Sequence, residues 1–266
     1  KPMSKTHRIA LGIEYIGTSF NGFQKQKRTR NTIQQNIESA LSKVADYRVK
    51  TVCSGRTDAG VHALGQVIHF DSPVHRANDS WIKGTNSNLP PEIRVIWSKE
   101  VSEDFHARFS AKSRHYKYLI RNSDLPSAFY KDRSYWVNGK LKITKMRTAS
   151  RYLIGEHDFN AFRNSGCQSK SSQRNMTKIK IEKNNGLISI DLEANAFLLN
   201  MVRIIVGTLI DVGQDNIEAI EVEKILQSKD RKLASKTAPA SGLYFLGPKY
   251  SQEENIPQIK NFAKLI

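Results

Sequence analysis

The stretch from Lys178 to Glu193 sets the tightest limit on the fold. Two runs of strand-forming residues, Lys178 to Glu182 and Leu187 to Glu193, flank Asn184-Asn185-Gly186. Asn and Gly accept the left-handed backbone that a two-residue turn needs, so this spacing predicts a β-hairpin and a sheet that is antiparallel or mixed. Other strands are expected at Lys5 to Ile16, Val49 to Ser54, Gln66 to Phe70, Ile93 to Val101, His115 to Arg121 and Leu243 to Leu246. Between them lie helical patterns. In Thr32 to Val44, residues Ile33, Ile37, Leu41 and Val44 share one face, and Thr32 with Gln35 forms a capping pair. Thr144 to Ile154, Phe197 to Val212 and Glu218 to Gln227 read as further helices. Helices interleaved with hairpin-linked strands predict the α+β class. The chain has 266 residues, enough for one large domain or two halves sharing a core. The halves expected are 1–125 and 126–266, parting in the stretch from Pro126 to Lys140.

Charge narrows the partners. Lys and Arg number 42 against 25 Asp and Glu, a formal net charge of +17. Such an excess suits a polyanion, because each phosphate neutralised releases condensed counterions. It is also compatible with a merely soluble Lys-rich surface. A membrane is the other polyanion to consider. The most apolar run, Phe197 to Val212, is interrupted by Asn200 and Arg203 and is too short and polar to span a bilayer. No apolar signal region is read in the first residues. Two cysteines, Cys53 and Cys167, allow one disulfide but no stapled framework, so a cytoplasmic location is expected.

One segment stands out for chemistry. Gly55-Arg56-Thr57-Asp58-Ala59-Gly60-Val61-His62-Ala63 falls between two expected strands. Glycines on both sides of Asp58 allow a tight turn with little bulk to obstruct a ligand. Arg56 is placed to reach a phosphate or a base. Read from the residues alone, two assignments stand: a reactive carboxylate, or a turn whose Asp bonds its own backbone.

GRTDAGVHA, continuing as Leu64-Gly65-Gln66-Val67-Ile68-His69-Phe70, resembles the signature of the tRNA pseudouridine synthase A family. Further family motifs follow in order along nearly the whole chain. Tyr15-Ile16-Gly17-Thr18-Ser19-Phe20-Asn21-Gly22-Phe23-Gln24-Lys25-Gln26 is similar to the family's Y-D-G-x-x-F-x-G-x-Q-x-Q. Thr32-Ile33-Gln34, Asn88-Leu89-Pro90, and Phe105 to Ala111 come next. Arg114-His115-Tyr116-Lys117-Tyr118 resembles its R-x-Y-x-Y strand. Gly155 to Phe159, Phe197 to Gly207 and Gly242-Leu243-Tyr244 complete the set. Three positions depart from the pattern: Ile16 for a usual Asp, Ile204 for a common Asn, and Lys25 for a frequent Arg.

The resemblance implies isomerisation of uridine to pseudouridine at positions 38, 39 and 40 of the tRNA anticodon stem-loop, without cofactor or metal. It implies two similar halves with the active-site cleft between them, and a homodimer bridged by tRNA. Asp58 matches the essential carboxylate, acting as nucleophile or as base on the sugar. The base must leave its stack to be reached, and Arg56 matches the residue that fills the space. Tyr116 matches the tyrosine that stacks on uracil, and Leu243 is expected to pack beneath it. Arg203 matches the arginine that pairs with the carboxylate; its apolar helix also makes an unpaired guanidinium costly. Further RNA contacts are expected from Arg76, from Phe105, His106, Ala107, Arg108 and Phe109, and from Gly166, Cys167, Gln168, Ser169 and Lys170 beside Arg174. His62, His69, His75 and Cys53 match no common zinc spacing, so no metal is expected. The competing function is a non-catalytic tRNA-binding or folding protein on the same scaffold.

Overall fold

The structure, a computed structural model, describes residues 6–258. In chain order it has β1 (His7–Tyr15), α1 (Ile33–Ala45), β2 (Val52–Cys53), β3 (His62–Ser72), α2 (Asn78–Asn86), β4 (Ile93–Val101), β5 (Ser113–Asn122), β6 (Tyr135–Val137), α3 (Ile143–Arg151), β7 (Gly155–Asp158), β8 (Gln173–Asn184), β9 (Leu187–Ala194), α4 (Met201–Gly213), α5 (Glu221–Ser228) and β10 (Leu243–Lys249). This is the α+β class expected. Lys5, the first residue of the first expected strand, lies outside the described residues. The chain divides into two compact units. One comprises the residues up to Lys112 together with those from Phe245 onward; the other is Ser113–Tyr244. The stretch Pro126 to Lys140 therefore lies inside the second unit. The chain stays with the sheet there: β6 lies parallel to β5, Tyr135 opposite Ile120.

In the first unit β1 is central, antiparallel to β3 on one side and to β4 on the other. Its residues Ile9, Ala10, Leu11 and Ile13 are all buried, on alternating faces, so both faces of the sheet are covered. Helices cover one face. In α1, Ile33, Ile37 and Leu41 point inward as their spacing predicts, and the Thr32 hydroxyl accepts from the Gln35 N–H at 3.3 Å. Helix α2 adds Trp81, fully buried edge-on to Phe70. On the other face Ala10 and Val67 pack with Phe105, Ala107, Tyr250 and Ile256.

In the second unit the antiparallel order is β5-β9-β8-β7, with β6 parallel on the free side of β5. The β8–β9 hairpin closes as expected: Asn184 faces Leu187, and Asn185 and Gly186 have φ of 48° and 76°. Helix α4 is buried over most of its length, and α3 packs against it and against β8. Helix α4 begins at Met201, four residues later than Phe197. The preceding Asn200 adopts left-handed backbone (φ 59°, ψ 9°), which stops a helix from running through it.

Candidate active site

The Asp58 loop joins β2 to β3 within the first unit. The Val61 N–H donates to the Asp58 carbonyl at 3.1 Å, closing a tight turn. Gly60, its third residue, has φ of 81°, a conformation that side chains resist. The chain is tied down on both sides of Asp58. The Thr57 side chain is 7% exposed, and its hydroxyl shares a 2.6 Å hydrogen bond with the Tyr15 hydroxyl. The Thr57 carbonyl accepts from the Phe23 N–H at 3.0 Å. Past the turn, buried His62 accepts on Nδ1 from the Gly17 N–H at 3.1 Å. Before it, Ser54 donates to Gln66 Oε1 at 2.7 Å while Gln66 Nε2 donates to the Gly55 carbonyl at 2.6 Å. Asp58 is half-buried within this frame and Arg56 is exposed.

The bracing comes from the Tyr15 to Gln26 segment. A Cβ at Gly17 would overlap the Val61 carbonyl, and one at Gly22 would press on the Thr57 carbonyl at 3.0 Å. Both glycines let the two chain segments approach backbone to backbone. Tyr15, Thr57 and Gln66 were not among the residues singled out for function from sequence. The signal for them was present, since Tyr15 and Gln66 belong to the resembling motifs.

The expected RNA contacts separate on burial. Phe105 and Ala107 are fully buried core residues, so their side chains are not surface contacts. Phe105 and Ala107 turn inward, and the chain then turns, with the Ser110 N–H on the His106 carbonyl at 2.9 Å, which leaves Arg108 and Phe109 outward. The segment is pinned from beneath by His69, whose Nδ1 accepts from the Ala107 N–H at 3.1 Å. Burial, with Arg8 and His106 nearby, pushes the His69 pKa down to about 4. His106 accepts from the Arg108 and Phe109 N–H groups at 3.2 Å each. This presents Phe109, 75% exposed, beneath the Arg108 guanidinium. Arg76 lies over Trp81 at 5.9 Å. Burial pushes the Cys53 thiol up to about 11, and both cysteines are free. Among the described residues no group of three or more His, Cys, Asp or Glu is placed to hold a metal ion.

In the second unit Tyr116 stands on β5 with Phe197 edge-on at 5.0 Å. Tyr118, two residues on, is fully buried with its hydroxyl on the Pro239 carbonyl at 2.7 Å. Arg203 occupies the first turn of α4, where the helix dipole disfavours a cation. It donates from Nε to the Ala238 carbonyl at 2.7 Å and from Nη1 to Asn200 Oδ1 at 3.1 Å. Asn200 thus both ends the helix and orients the arginine. Tyr118 and Arg203 meet the same 238–239 segment, which leads into buried Leu243 at the start of β10. The loop from Gly166 to Lys170 is held by Arg163, which donates to the Cys167 and Ser169 carbonyls at 2.9 and 3.0 Å. Buried Arg174 donates to Ser169 Oγ at 2.8 Å, so it frames the loop from within. Burial opposes ionisation of Cys167. The Leu199 and Ser169 N–H groups and Arg163 outweigh it, so the thiol lies below its ordinary value.

A strongly basic α+β chain, net charge +17, that presents a half-buried carboxylate on a braced loop suits an enzyme acting on a nucleic acid. Residues 12–110 and 149–251 match the family model described as tRNA pseudouridine synthase. A protein of Buchnera aphidicola subsp. Schizaphis graminum named tRNA pseudouridine synthase A is 48% identical over 257 residues, covering 97% of each chain. Proteins of the same name from Hydrogenovibrio crunogenus and Alcanivorax borkumensis are 44% and 45% identical, over 94% of this chain and 95% and 94% of theirs. This chain belongs to the tRNA pseudouridine synthase family.

Proposed function

We propose that this protein isomerises uridine to pseudouridine at positions 38, 39 and 40 in the anticodon stem-loop of tRNA. The observation that carries the reading is the GRTDAGVHA loop itself, with Asp58 half-buried and the residues on both sides of it fixed by hydrogen bonds. A carboxylate held in this way needs little reorganisation when it meets the sugar. The reaction breaks the bond from uracil N1 to the sugar C1′ and makes one from C5 to C1′. The C5 proton is lost and N1 gains one, so atoms balance with no added reactant. Asp58 serves as nucleophile at C1′ or as base on a sugar proton. Arg203 is assigned to keep it ionised and oriented.

The target base is taken out of its stack, and exposed Arg56 fills the space. Tyr116 holds the uracil by stacking, with Leu243 beneath it. Arg76, His106, Arg108, Phe109 and the 166–170 loop meet the backbone and position it rather than read its sequence. A homodimer acting on tRNA in the cytoplasm completes the proposal.

The test is incubation with unmodified tRNA transcripts and mapping of pseudouridine at single-nucleotide resolution. The parent protein is expected to modify 38, 39 or 40. Asp58→Asn is expected to bind tRNA within about twofold of the parent, because binding rests on many cations, and to yield no product. Pseudouridine from a clean Asp58→Asn preparation would remove Asp58 from the chemistry. Tight binding by a parent that makes no product would favour the non-catalytic RNA-binding alternative.

A further inference from the structure

We infer that the first unit carries a phosphodiester subsite formed by Lys25, Arg30 and Arg48, which holds the substrate RNA backbone on the same body as Asp58. The inference rests on the tRNA reading above and adds residues that reading does not use. The segment 25–30 reads Lys-Gln-Lys-Arg-Thr-Arg, four cations in six residues. A run of like charges ordinarily repels itself and spreads into solvent. Here polar side chains fix the loop instead. The Asn21 N–H donates to the Asn31 carbonyl at 2.9 Å, and the Thr29 hydroxyl donates to Asn21 Oδ1 at 3.2 Å. Gln26 Nε2 donates to the Asn21 carbonyl at 2.7 Å, and the Lys25 N–H donates to Gln34 Oε1 at 3.0 Å. The cations are presented from a set backbone.

Where Lys25 and Arg30 approach Arg48, a cleft of about 270 Å³ opens beside α1. Its one carboxylate, Glu38, is 5% exposed and fully engaged. Oε2 accepts from Lys25 Nζ at 2.6 Å. Oε1 accepts from the Thr51 N–H at 2.8 Å, the Thr51 hydroxyl at 3.0 Å and Gln34 Nε2 at 3.2 Å. Glu38 is therefore answered by Lys25, and the two arginines leave the cleft positive. Among the described residues neither Arg30 nor Arg48 has a side-chain hydrogen bond or ion pair. Two like charges facing one cleft repel until an anion enters, and a guanidinium fork matches the oxygens of a phosphate. Among the described residues Val49 is the only apolar one lining the cleft, which leaves a nucleobase little to stack on and favours the backbone phosphate. The loop also starts from the catalytic frame, since Phe23 bonds the Thr57 carbonyl two residues before Lys25. A strand anchored here is referenced to Asp58 through a few fixed residues.

The experiment measures the dissociation constant of the full chain for an unmodified tRNA transcript across a KCl series, with turnover at saturating tRNA. Arg30→Ala with Arg48→Ala is expected to lower the salt slope by about 1.4 to 1.8 and to weaken binding about 10- to 30-fold at physiological salt. Turnover at saturation should stay within about twofold, since neither residue touches the reacting atoms. Arg30→Lys with Arg48→Lys should keep the slope. A control removes equal charge from paired surface lysines, Lys180→Ala with Lys224→Ala, whose partners are Glu182 and Glu221; its slope should match the parent. A melting curve checks that each variant is folded. An unchanged slope in the double arginine variant, or an equal loss in the control, overturns the subsite while leaving the parent's activity intact. A parent that neither binds nor modifies tRNA overturns the RNA reading itself, and the subsite with it.

Discussion

Tyr15→Phe tests whether the frame around Asp58 is catalytic equipment or only packing. The substitution removes one hydroxyl from a pair with both partners buried, Tyr15 at 4% exposure and Thr57 at 7%, and a 2.6 Å separation. Deleting one partner of a buried pair strands the other, at a cost of about 1–3 kcal/mol. For a chain of this size 2 kcal/mol lowers the melting temperature by about 4–8 °C. Thr57→Val removes the same bond from the other side and should also lower stability. The double variant should cost less than the two together, with a coupling of about 1 kcal/mol, because the two substitutions remove one shared hydrogen bond. Asp58 is the next residue after Thr57, so any drift of the backbone carries the carboxylate with it. Turnover of Tyr15→Phe should fall about tenfold, equivalent to about 1.4 kcal/mol of transition-state stabilisation. The assay is release of tritium from tRNA labelled at uracil C5, which isomerisation must liberate because the new bond is made there. If the melting temperature falls while turnover at saturating tRNA equals the parent's, the frame supports folding only. If the two single effects simply add, the hydrogen bond is not the link between them.

Other expectations follow from the same geometry. Arg203→Met should lose turnover by about 100-fold or more, with a melting temperature only a few degrees lower, and Arg203→Lys should restore part of it, since a point charge cannot reproduce the guanidinium fork; a folded Arg203→Met at the parent rate would refute the assignment. Arg108→Ala should weaken tRNA binding and lower the salt slope by about 0.7–0.9, read from a KCl series. His69 titrates at about 4 in the fold against 6.5 for a free side chain, so the unfolded chain binds the extra proton first as pH falls. Its contribution to stability is full above about pH 6.5 and is lost on descent toward pH 4, by at most about 3 kcal/mol, which solvent screening reduces. Melting curves over that range should fall more steeply for the parent than for His69→Gln, and parallel curves would show that His69 does not carry the loss.

Periodicity made the interior elements legible. Ile33, Ile37 and Leu41 of α1 fall on the buried face that their spacing dictates, and β4 occupies Ile93–Val101 as the alternation indicates. Elements without a periodic signal escaped. Helix α2, reading Asn-Asp-Ser-Trp-Ile-Lys-Gly-Thr-Asn, has weak helix formers and buries only Trp81 and the small Thr85. Gly84 within it costs helix propensity but lets α2 approach α1, where an added Cβ would sit 3.0 Å from Val44. Strands β6 and β7 are too short to show alternation. Tertiary requirements decided these places, and local sequence does not state them.

The site was legible in a different way. Asp58, Arg56 and Arg203 were singled out, and are proposed here, because they sit in recognisable motifs, but the residues that support them could not be ranked. Chemistry explains the carboxylate in GRTDAGVHA, yet it does not explain Tyr15, Gly17 or Gly22 forty residues earlier. The hydrogen bonds do: those positions hold the loop's backbone on both sides of Asp58, and the two glycines are needed because a Cβ would meet carbonyl oxygen. The departures then fall into place by the same test. Ile16 is exposed beside the brace, and its N–H still donates to the Glu92 carbonyl at 3.0 Å, a bond any residue but proline could make. Ile204 faces the core one residue past Arg203 and leaves its bonds to Ala238 and Asn200 untouched. Lys25 keeps the cation that answers Glu38. Each substitution spares a hydrogen bond on which the site depends, which is why a chain can vary at these positions and keep its loop geometry.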